Sequence, residues 1–301
     1  MRLTDLLDNL APLSADVATA DISGLAVNSA QVKKGDLFFA LAGSARDGRD
    51  FIADAIKRGA VAIVTDERPF KTGQVMSIPV LQTENPRWVM AKAAARFWPQ
   101  QPGLIGAVTG TNGKTSTVDF MRQIWARVNW SSISIGTIGI RGNSVNKPDT
   151  PMADIAQLTT PDSLNLHTNI AAVAKQGVTH LALEASSHGL QQHRLDGLNI
   201  HVAGFTNLSR DHLDHHKNMD EYFAVKLRLF EDLLIEGGGG VINIDDKYGK
   251  KIVERMKGRP VVLKTYGTSN AADFIIKKIT PTDFGLDLCL VYQDKTWHIP
   301  L

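Results

Sequence analysis

The residues most able to do chemistry lie in one run, Thr109-Gly110-Thr111-Asn112-Gly113-Lys114-Thr115-Ser116. A loop of this kind between a strand and a helix aims successive backbone N–H groups at a phosphate, and the helix dipole adds favourable charge. Gly110 and Gly113 permit the tight backbone path, Lys114 can reach the β- and γ-phosphates of a nucleotide, and the Thr115 hydroxyl can hold Mg²⁺. The general phosphate-loop pattern has its first glycine where Val108 stands, so the match departs at one position. Such a loop alone does not choose among kinase, GTPase and ligase. An acidic residue ending a neighbouring strand would help to hold Mg²⁺, and Glu184 closes His180-Leu181-Ala182-Leu183-Glu184 in that way.

Seven of the nine histidines fall between His180 and His216. One group sits in Glu184-Ala185-Ser186-Ser187-His188-Gly189-Leu190-Gln191-Gln192-His193-Arg194, the other in Thr206-Asn207-Leu208-Ser209-Arg210-Asp211-His212-Leu213-Asp214-His215-His216. Both follow expected strands, which puts them on the phosphate-loop rim of a parallel sheet. His167, His201 and His298 read as idle, solvated loop residues. Zinc held by His212, His215 and His216 is a competing reading, weakened because adjacent histidines on a short loop rarely face one metal and cysteine ligands are absent. Lys226, in Tyr222-Phe223-Ala224-Val225-Lys226, reads as an ordinary helix lysine.

The elements that must position these residues are legible in the hydrophobic pattern. Before Pro102, expected strands Gly35 to Leu41 and Ala60 to Val64 alternate with helices Phe51 to Gly59 and Asn85 to Trp98. The proline-flanked stretch Pro99 to Pro102 marks a boundary, giving domains 1–102 and 103–301. After it come strands Leu104 to Thr109, Ile133 to Ile140, Thr179 to Glu184, Val202 to Thr206 and Gly240 to Ile244. Helices are expected from the loop to Val128, then over Pro161 to Gln176, Met219 to Leu234 and Lys247 to Met256, with Gly237 to Gly240 a short flexible turn. Alternating strands and helices argue an α/β fold: a small N-terminal α/β domain, then a mononucleotide-binding domain with a mainly parallel sheet covered by helices. Beyond Phe274 the period changes to two, which suits antiparallel hairpins.

Composition bounds the rest. The chain has 301 residues, a net charge of +2, one cysteine (Cys289) and no Lys/Arg-rich block. That balance gives no reason to expect nucleic acid as a partner. The lone cysteine excludes an internal disulfide and fits a reducing cytoplasm. No apolar run approaches the roughly 20 residues that span a bilayer, and Met1-Arg2-Leu3-Thr4-Asp5 is no signal peptide. A cytoplasmic protein without a membrane partner is expected.

Taken in order, Thr109 to Thr115, Glu184 to Leu190 and Thr206 to Asp214 resemble the Mur ligases of peptidoglycan synthesis. Ser186-Ser187-His188-Gly189-Leu190 followed by Gln192-His193-Arg194 is most similar to members that add the third residue of the peptide, and Thr159-Thr160-Pro161, Gly35-Asp36-Leu37-Phe38 and Asp47-Gly48 agree. The resemblance covers nearly the whole chain. It implies an ATP-dependent ligase acting as a monomer on UDP-N-acetylmuramoyl-L-alanyl-D-glutamate, with two Mg²⁺ ions, adding meso-diaminopimelate or lysine through an acyl phosphate. Gly110, Thr111, Asn112, Gly113, Lys114, Thr115 and Ser116 would hold ATP, with Asn207 near the adenine. Thr115 and Glu184 would hold one Mg²⁺; His212 and a carbamylated Lys226 would hold the second. Thr159, Thr160, Ser186, Gln192 and Arg194 would grip the nucleotide-sugar dipeptide, while Val27, Ser29 and the Ser44-Ala45-Arg46 loop would meet its uridine end.

Two departures bear on these expectations. The family's Asp-Ser-Arg appears as Asn28-Ser29-Ala30, so a charged contact at the uridine diphosphate end is either missing or supplied by Arg46. A third, Rossmann-like domain that binds the incoming amino acid normally follows, and the sequence stops at Leu301 before it, so a trimmed or partial chain is expected. A binding module without turnover and a related ligase such as a folylpolyglutamate synthetase stand as alternatives. The Ser-Ser-His-Gly-Leu segment argues against the latter.

Overall fold

A computed structural model describes residues 1–11, 20–43, 46–70, 77–143, 162–210, 218–283 and 285–301. They divide into two units, one of Met1–Gln100, Pro161–Ala172 and Gln192–Gly197, the other of Gln101–Thr160, Val173–Gln191 and Leu198–Leu301.

In the first unit the elements run α1 (Leu3–Leu7), β1 (Gly24–Ala26), β2 (Asp36–Ala40), α2 (Ile52–Arg58), β3 (Ala62–Thr65), β4 (Val80–Gln82) and α3 (Pro86–Phe97). The strands pair in parallel in the order β1-β2-β3-β4. Every residue of β2 is buried. Leu37 and Phe39 pack with Leu3, Leu6, Val89 and Met90, whereas Phe38 and Ala40 pack with Ile52 and Ala55. Successive strand side chains point to opposite faces, so this unbroken apolar run marks a strand covered on both sides. The helix ends have identifiable causes. Gly59 closes α2 in the left-handed region at φ +105°, where a Cβ would stand 2.8 Å from Lys34 Cα. Asn85 caps α3 by accepting from Trp88 N at 3.1 Å, and Pro86 occupies the first turn.

The second unit continues with β5 (Leu104–Thr109), α4 (Lys114–Arg127), β6 (Ser132–Gly136), β7 (Gly139–Asn143), α5 (Ser163–Lys175), β8 (His180–Glu184), α6 (Ser187–Gln191), β9 (Ile200–Phe205), α7 (Met219–Arg228), β10 (Leu234–Asn243), α8 (Lys247–Arg255), β11 (Val262–Gly267), β12 (Phe274–Thr282), β13 (Gly285–Tyr292) and β14 (Lys295–Pro300). The N-terminal part of α5 belongs to the first unit. One sheet of ten strands has the order β14-β13-β12-β11-β10-β9-β5-β8-β6-β7. Strands β12 to β14 form an antiparallel meander, β6 and β7 an antiparallel hairpin, and the other pairings are parallel. The expected α/β architecture with a C-terminal antiparallel region is present. Val108, Val118 and Ala182, with Met121 and Trp125, seat α4 on the sheet.

Three local expectations are corrected. Ile133 to Ile140 is a hairpin, because Gly136 pairs with Gly139 across Thr137-Ile138 and Gly139 takes φ +82°. The helix from Met219 ends at Arg228, and a π-helical turn, Leu229–Leu233, leads into β10. Gly237 to Gly240 is no turn: these glycines lie within β10, where the pairing with β9 shifts register between Leu234 and Gly239.

Candidate functional site

Strand β5 lies between β8 and β9, where the order of the parallel sheet changes direction, and its C-terminal end is where ligands of such sheets gather. It runs into the loop Gly110 to Gly113, and α4 starts at Lys114. Gly110 has φ +151° and Gly113 φ +84°. A Cβ on Gly110 would stand 1.9 Å from Thr206 Oγ1 and 3.1 Å from the backbone N and O of Asn207. Only glycine allows this approach.

The segment after β9 braces the loop. Thr111 N donates to Asn207 O at 2.8 Å, Asn112 N to Asn207 Oδ1 at 3.0 Å, and Thr206 Oγ1 to Asn112 O at 2.6 Å. Ser209 N donates to Thr111 Oγ1 at 3.0 Å, and Tyr222 OH lies 3.4 Å from that hydroxyl. Asn207 Nδ2 also donates to Asn112 O at 3.3 Å, so both ends of its amide are engaged with the loop. Asn243 Nδ2 donates to Thr206 O at 2.8 Å, and Asp246 Oδ2 accepts from Leu208 N at 2.7 Å, fixing the brace in turn.

Two ammonium groups converge on one carbonyl. Lys114 Nζ donates to Gly110 O at 3.0 Å and to Thr111 O at 2.9 Å, and Lys226 Nζ donates to Gly110 O at 2.9 Å. Lys226, read from sequence as an ordinary helix lysine, is 1 % exposed and lies 4.5 Å from the Tyr222 ring centroid. Burying an ammonium is costly unless it is compensated, and the Gly110 carbonyl and the Tyr222 ring supply partners here. Thr115 is half-buried and Ser116 exposed at the start of α4. Glu184 is fully buried at the end of β8; its Oε1 accepts from Thr137 N at 2.9 Å and its Oε2 from Thr137 Oγ1 at 3.2 Å. The β6–β7 turn therefore orients this carboxylate, and a Cβ on Gly136 would lie 2.0 Å from Oε1. Ser186 Oγ accepts from Gly189 N at 3.0 Å at the start of α6.

Candidates in the first unit stand apart from that cluster in kind. Val27 follows β1 and is half-buried. Ser29 is 7 % exposed; its hydroxyl and Arg58 lower the Asp54 carboxyl below its ordinary value. Arg46 is exposed, and its backbone O accepts from Gly43 N at 3.0 Å. Gln192 Oε1 accepts from Arg194 Nη2 at 2.8 Å and from Nε at 3.3 Å. Ser44, Ala45, Thr159, Thr160 and His212, and with them the zinc candidates His215 and His216, lie outside the described residues.

His167 and His201 are not idle. His167 is 1 % exposed, its Nε2 lies 3.1 Å from Asp196 O, and burial lowers its pKa to about 4. His201 Nδ1 accepts from Ile105 N at 3.2 Å. His298 is exposed, as expected. Sequence reasoning missed Thr137, Thr206 and Tyr222. Tyr222 could have been found, since it lies one helical turn before Lys226 and shares its face; nothing in the pattern marks Thr137 or Thr206.

The family described as Mur ligase middle domain matches residues 108–301, and that described as Mur ligase family, catalytic domain matches residues 21–98. A Bradyrhizobium diazoefficiens protein named UDP-N-acetylmuramoyl-L-alanyl-D-glutamate--2,6-diaminopimelate ligase is 46% identical over 287 residues, covering 95% of this chain and 56% of its own. A Caulobacter vibrioides protein of the same name is 39% identical over 300 residues, 100% of this chain and 60% of its own. A solved structure of a ligase so named superposes with a TM-score of 0.82 at 28% identity, covering 99% of this chain and 59% of that one. The chain thus spans little more than half the length of the curated relatives it matches. Among the described residues, no helix is long and apolar enough to cross a membrane.

Proposed function

The chain belongs to the Mur ligase family, and on that premise we propose that it carries the nucleotide-sugar and ATP sites of a peptidoglycan-precursor ligase that adds 2,6-diaminopimelate to UDP-N-acetylmuramoyl-L-alanyl-D-glutamate. The first unit is assigned to the nucleotide-sugar and the second to ATP. The names of the relatives favour diaminopimelate over lysine. Asn146-Lys147-Pro148-Asp149 has the Asn-Lys-x-Asp order that a GTPase uses to read guanine, so sequence alone does not set a GTPase aside. Family membership does.

The observation that carries the reading is Lys114, held on Gly110 O and Thr111 O within the glycine loop that Asn207 braces. Its ammonium makes a positive centre in a loop whose helix dipole also favours anions, which suits the phosphates of ATP. A carboxylate of the glutamyl residue attacks the γ-phosphate, giving an acyl phosphate and ADP. The amine of diaminopimelate then attacks the acyl carbon, forming the amide and releasing phosphate with loss of a proton from the nitrogen. Negative charge gathers on oxygen in both steps, and Lys114 is placed to stabilise it. The brace from Thr206, Asn207 and Tyr222 keeps the loop in one shape, so little reorganisation is left for the reaction.

Mg²⁺ fits part of this donor set. The Thr115 hydroxyl and Glu184 carboxylate are the hard oxygen ligands it takes, and they are proposed to hold one ion. Lys226 fits only when modified: a buried amine beside Gly110 O can add CO₂ to become a carbamate, releasing a proton, and it then offers oxygens to a second ion together with His212. Bound Mg²⁺ would supply charge neutralisation on the phosphate oxygens.

Replacing Lys114 with Ala tests the assignment. Calorimetry with ATP is expected to show affinity about 100-fold weaker. Affinity like that of the unaltered chain would overturn the proposal.

A further inference from the structure

Two arginines from distant stretches of chain flank one hydrogen bond in the first unit, close enough for each charge to influence the other. Arg87 stands in the first turn of α3, just after the cap Asn85 and Pro86. Arg194 follows His193 in sequence. Asn85 Nδ2 and His193 Nε2 are 2.8 Å apart, a hydrogen bond between residues 108 positions apart. His193 takes φ +56°, and its Nδ1 lies 3.2 Å from Oδ1 of Asp196, whose side chain is 4 % exposed. A non-glycine residue in the left-handed region needs support from its surroundings. Here the amide of Asn85 and the carboxylate of Asp196 bracket the imidazole, which fixes where the backbone launches Arg87 and Arg194.

Arg87 Nη2 donates to Ala42 O at 2.6 Å. Among the described residues no carboxylate pairs with it, and burial is the influence that lowers its pKa. Arg194 is lowered first by burial; Asp162 raises it, and Arg87 lowers it further. Two partly desolvated like charges within range of each other cost free energy that a bound anion offsets. The N-terminus of α3 adds positive potential on the same side as Arg87. Planar guanidinium forks suit an oxyanion with paired acceptors, either a carboxylate or a diphosphate.

We infer that Arg87 and Arg194 form a paired clamp for an anionic group of the nucleotide-linked substrate, with Asn85 and His193 as its positioning bracket. The inference rests on the substrate reading above and adds Arg87, Asn85 and His193 to it.

Calorimetry with three probes tests the clamp: UDP-N-acetylmuramoyl-L-alanyl-D-glutamate, its analogue with both glutamyl carboxylates amidated, and UDP. Arg87→Ala and Arg87→Gln are each expected to weaken the full substrate about 10- to 100-fold, with partial recovery in Arg87→Lys. The salt dependence of binding should fall in Arg87→Gln, which keeps an amide donor for Ala42 O but no charge. A loss that disappears with the amidated analogue assigns a carboxylate; a loss that persists with UDP assigns the diphosphate. Unchanged affinity in both variants, or a loss in Arg87→Ala that Arg87→Gln fully restores, overturns the clamp in favour of a structural bond to Ala42. Should the unaltered chain bind none of the three probes, the substrate reading fails. Inorganic pyrophosphate then decides the clamp, which stands if that anion binds in an Arg87-dependent way and falls if it does not.

Discussion

The phosphate loop of the second unit and the arginine pair of the first are both suited to anions, but they are built from different material. In the loop, backbone groups set the shape: Thr111 N, Asn112 N, Asn112 O and Gly110 O all have fixed partners within the protein, and two glycines supply conformations closed to other residues. In the arginine pair, side chains do the work, and the scaffold is a hydrogen bond between Asn85 and His193. A site made of backbone has its residue spacing dictated by chain geometry, so it leaves a motif. A site made of side chains from distant segments leaves at most a fragment: Gln192-His193-Arg194 marks one half of the pair and nothing marks Arg87.

The largest expected effect strikes the backbone site. Gly110→Ala would place a Cβ 1.9 Å from Thr206 Oγ1, with backbone atoms of Asn207 at 3.1 Å on the same side. Neither the strand end nor the brace can yield without losing the bonds that shape the loop. ATP affinity is expected to fall beyond about 100-fold, while binding of the UDP-linked probe to the first unit stays within about twofold of the unaltered chain. Calorimetry with both ligands on one preparation checks this. Loss of both would break the comparison, because it would make the two sites one cooperative structure.

A smaller effect should strike only the side-chain site. His167 is buried against the carbonyl of Asp196, the residue that also holds His193. Burial lowers its pKa from 6.5 to about 4; Asp196 opposes the shift and Lys92 adds to it. Because the folded value lies below the unfolded one, the unfolded chain takes up this proton first as pH falls. Stability from the neutral ring is therefore complete above about pH 6.5 and drains away towards pH 4, by at most about 3 kcal/mol. His167→Gln keeps a donor for Asp196 O and has no proton to gain. Thermal melts across that window should show a shallower acid slope in the variant. An unchanged slope would remove His167 as the acid-sensitive point of the first unit.

This contrast also explains what could be read in the residues beforehand. Phosphate loop, buried strands and most helices follow from local pattern, since Gly35 to Leu41 or Leu104 to Thr109 can hardly be anything but covered strands. The hairpin at Thr137 was hidden, because Ile133, Ile135, Ile138 and Ile140 read as one strand and only Gly136 and Gly139 signal the turn. His167 was read as solvated, yet on α5, within the helix expected over Pro161 to Gln176, its ring is enclosed, and burial is a tertiary property with no local sign. Lys226 shows the same limit. Its chemistry lies in its reach to Gly110 O, 116 residues away, and family resemblance promoted it where pattern could not.

The smallest expected effect asks whether the loop holds its own shape. Asn207 accepts from Asn112 N at 3.0 Å and donates to Asn112 O at 3.3 Å, while its backbone O takes Thr111 N at 2.8 Å. Asn207→Ala removes the two side-chain bonds and keeps the backbone one. Asn112 is exposed, so water can replace what is lost, and each bond is worth only about 0.5–1.5 kcal/mol net. ADP affinity is therefore expected to fall about tenfold, with the midpoint of thermal unfolding little changed. Asn207→Asp should fall further than Asn207→Ala although it keeps the acceptor for Asn112 N, because it sets a negative charge beside bound phosphate. If both variants bind ADP like the unaltered chain, the glycines and the helix start suffice and the brace is incidental. If only Asn207→Asp is affected, charge matters and shape does not. The comparison survives in its present form only when Asn207→Ala weakens ADP and leaves the UDP-linked probe alone.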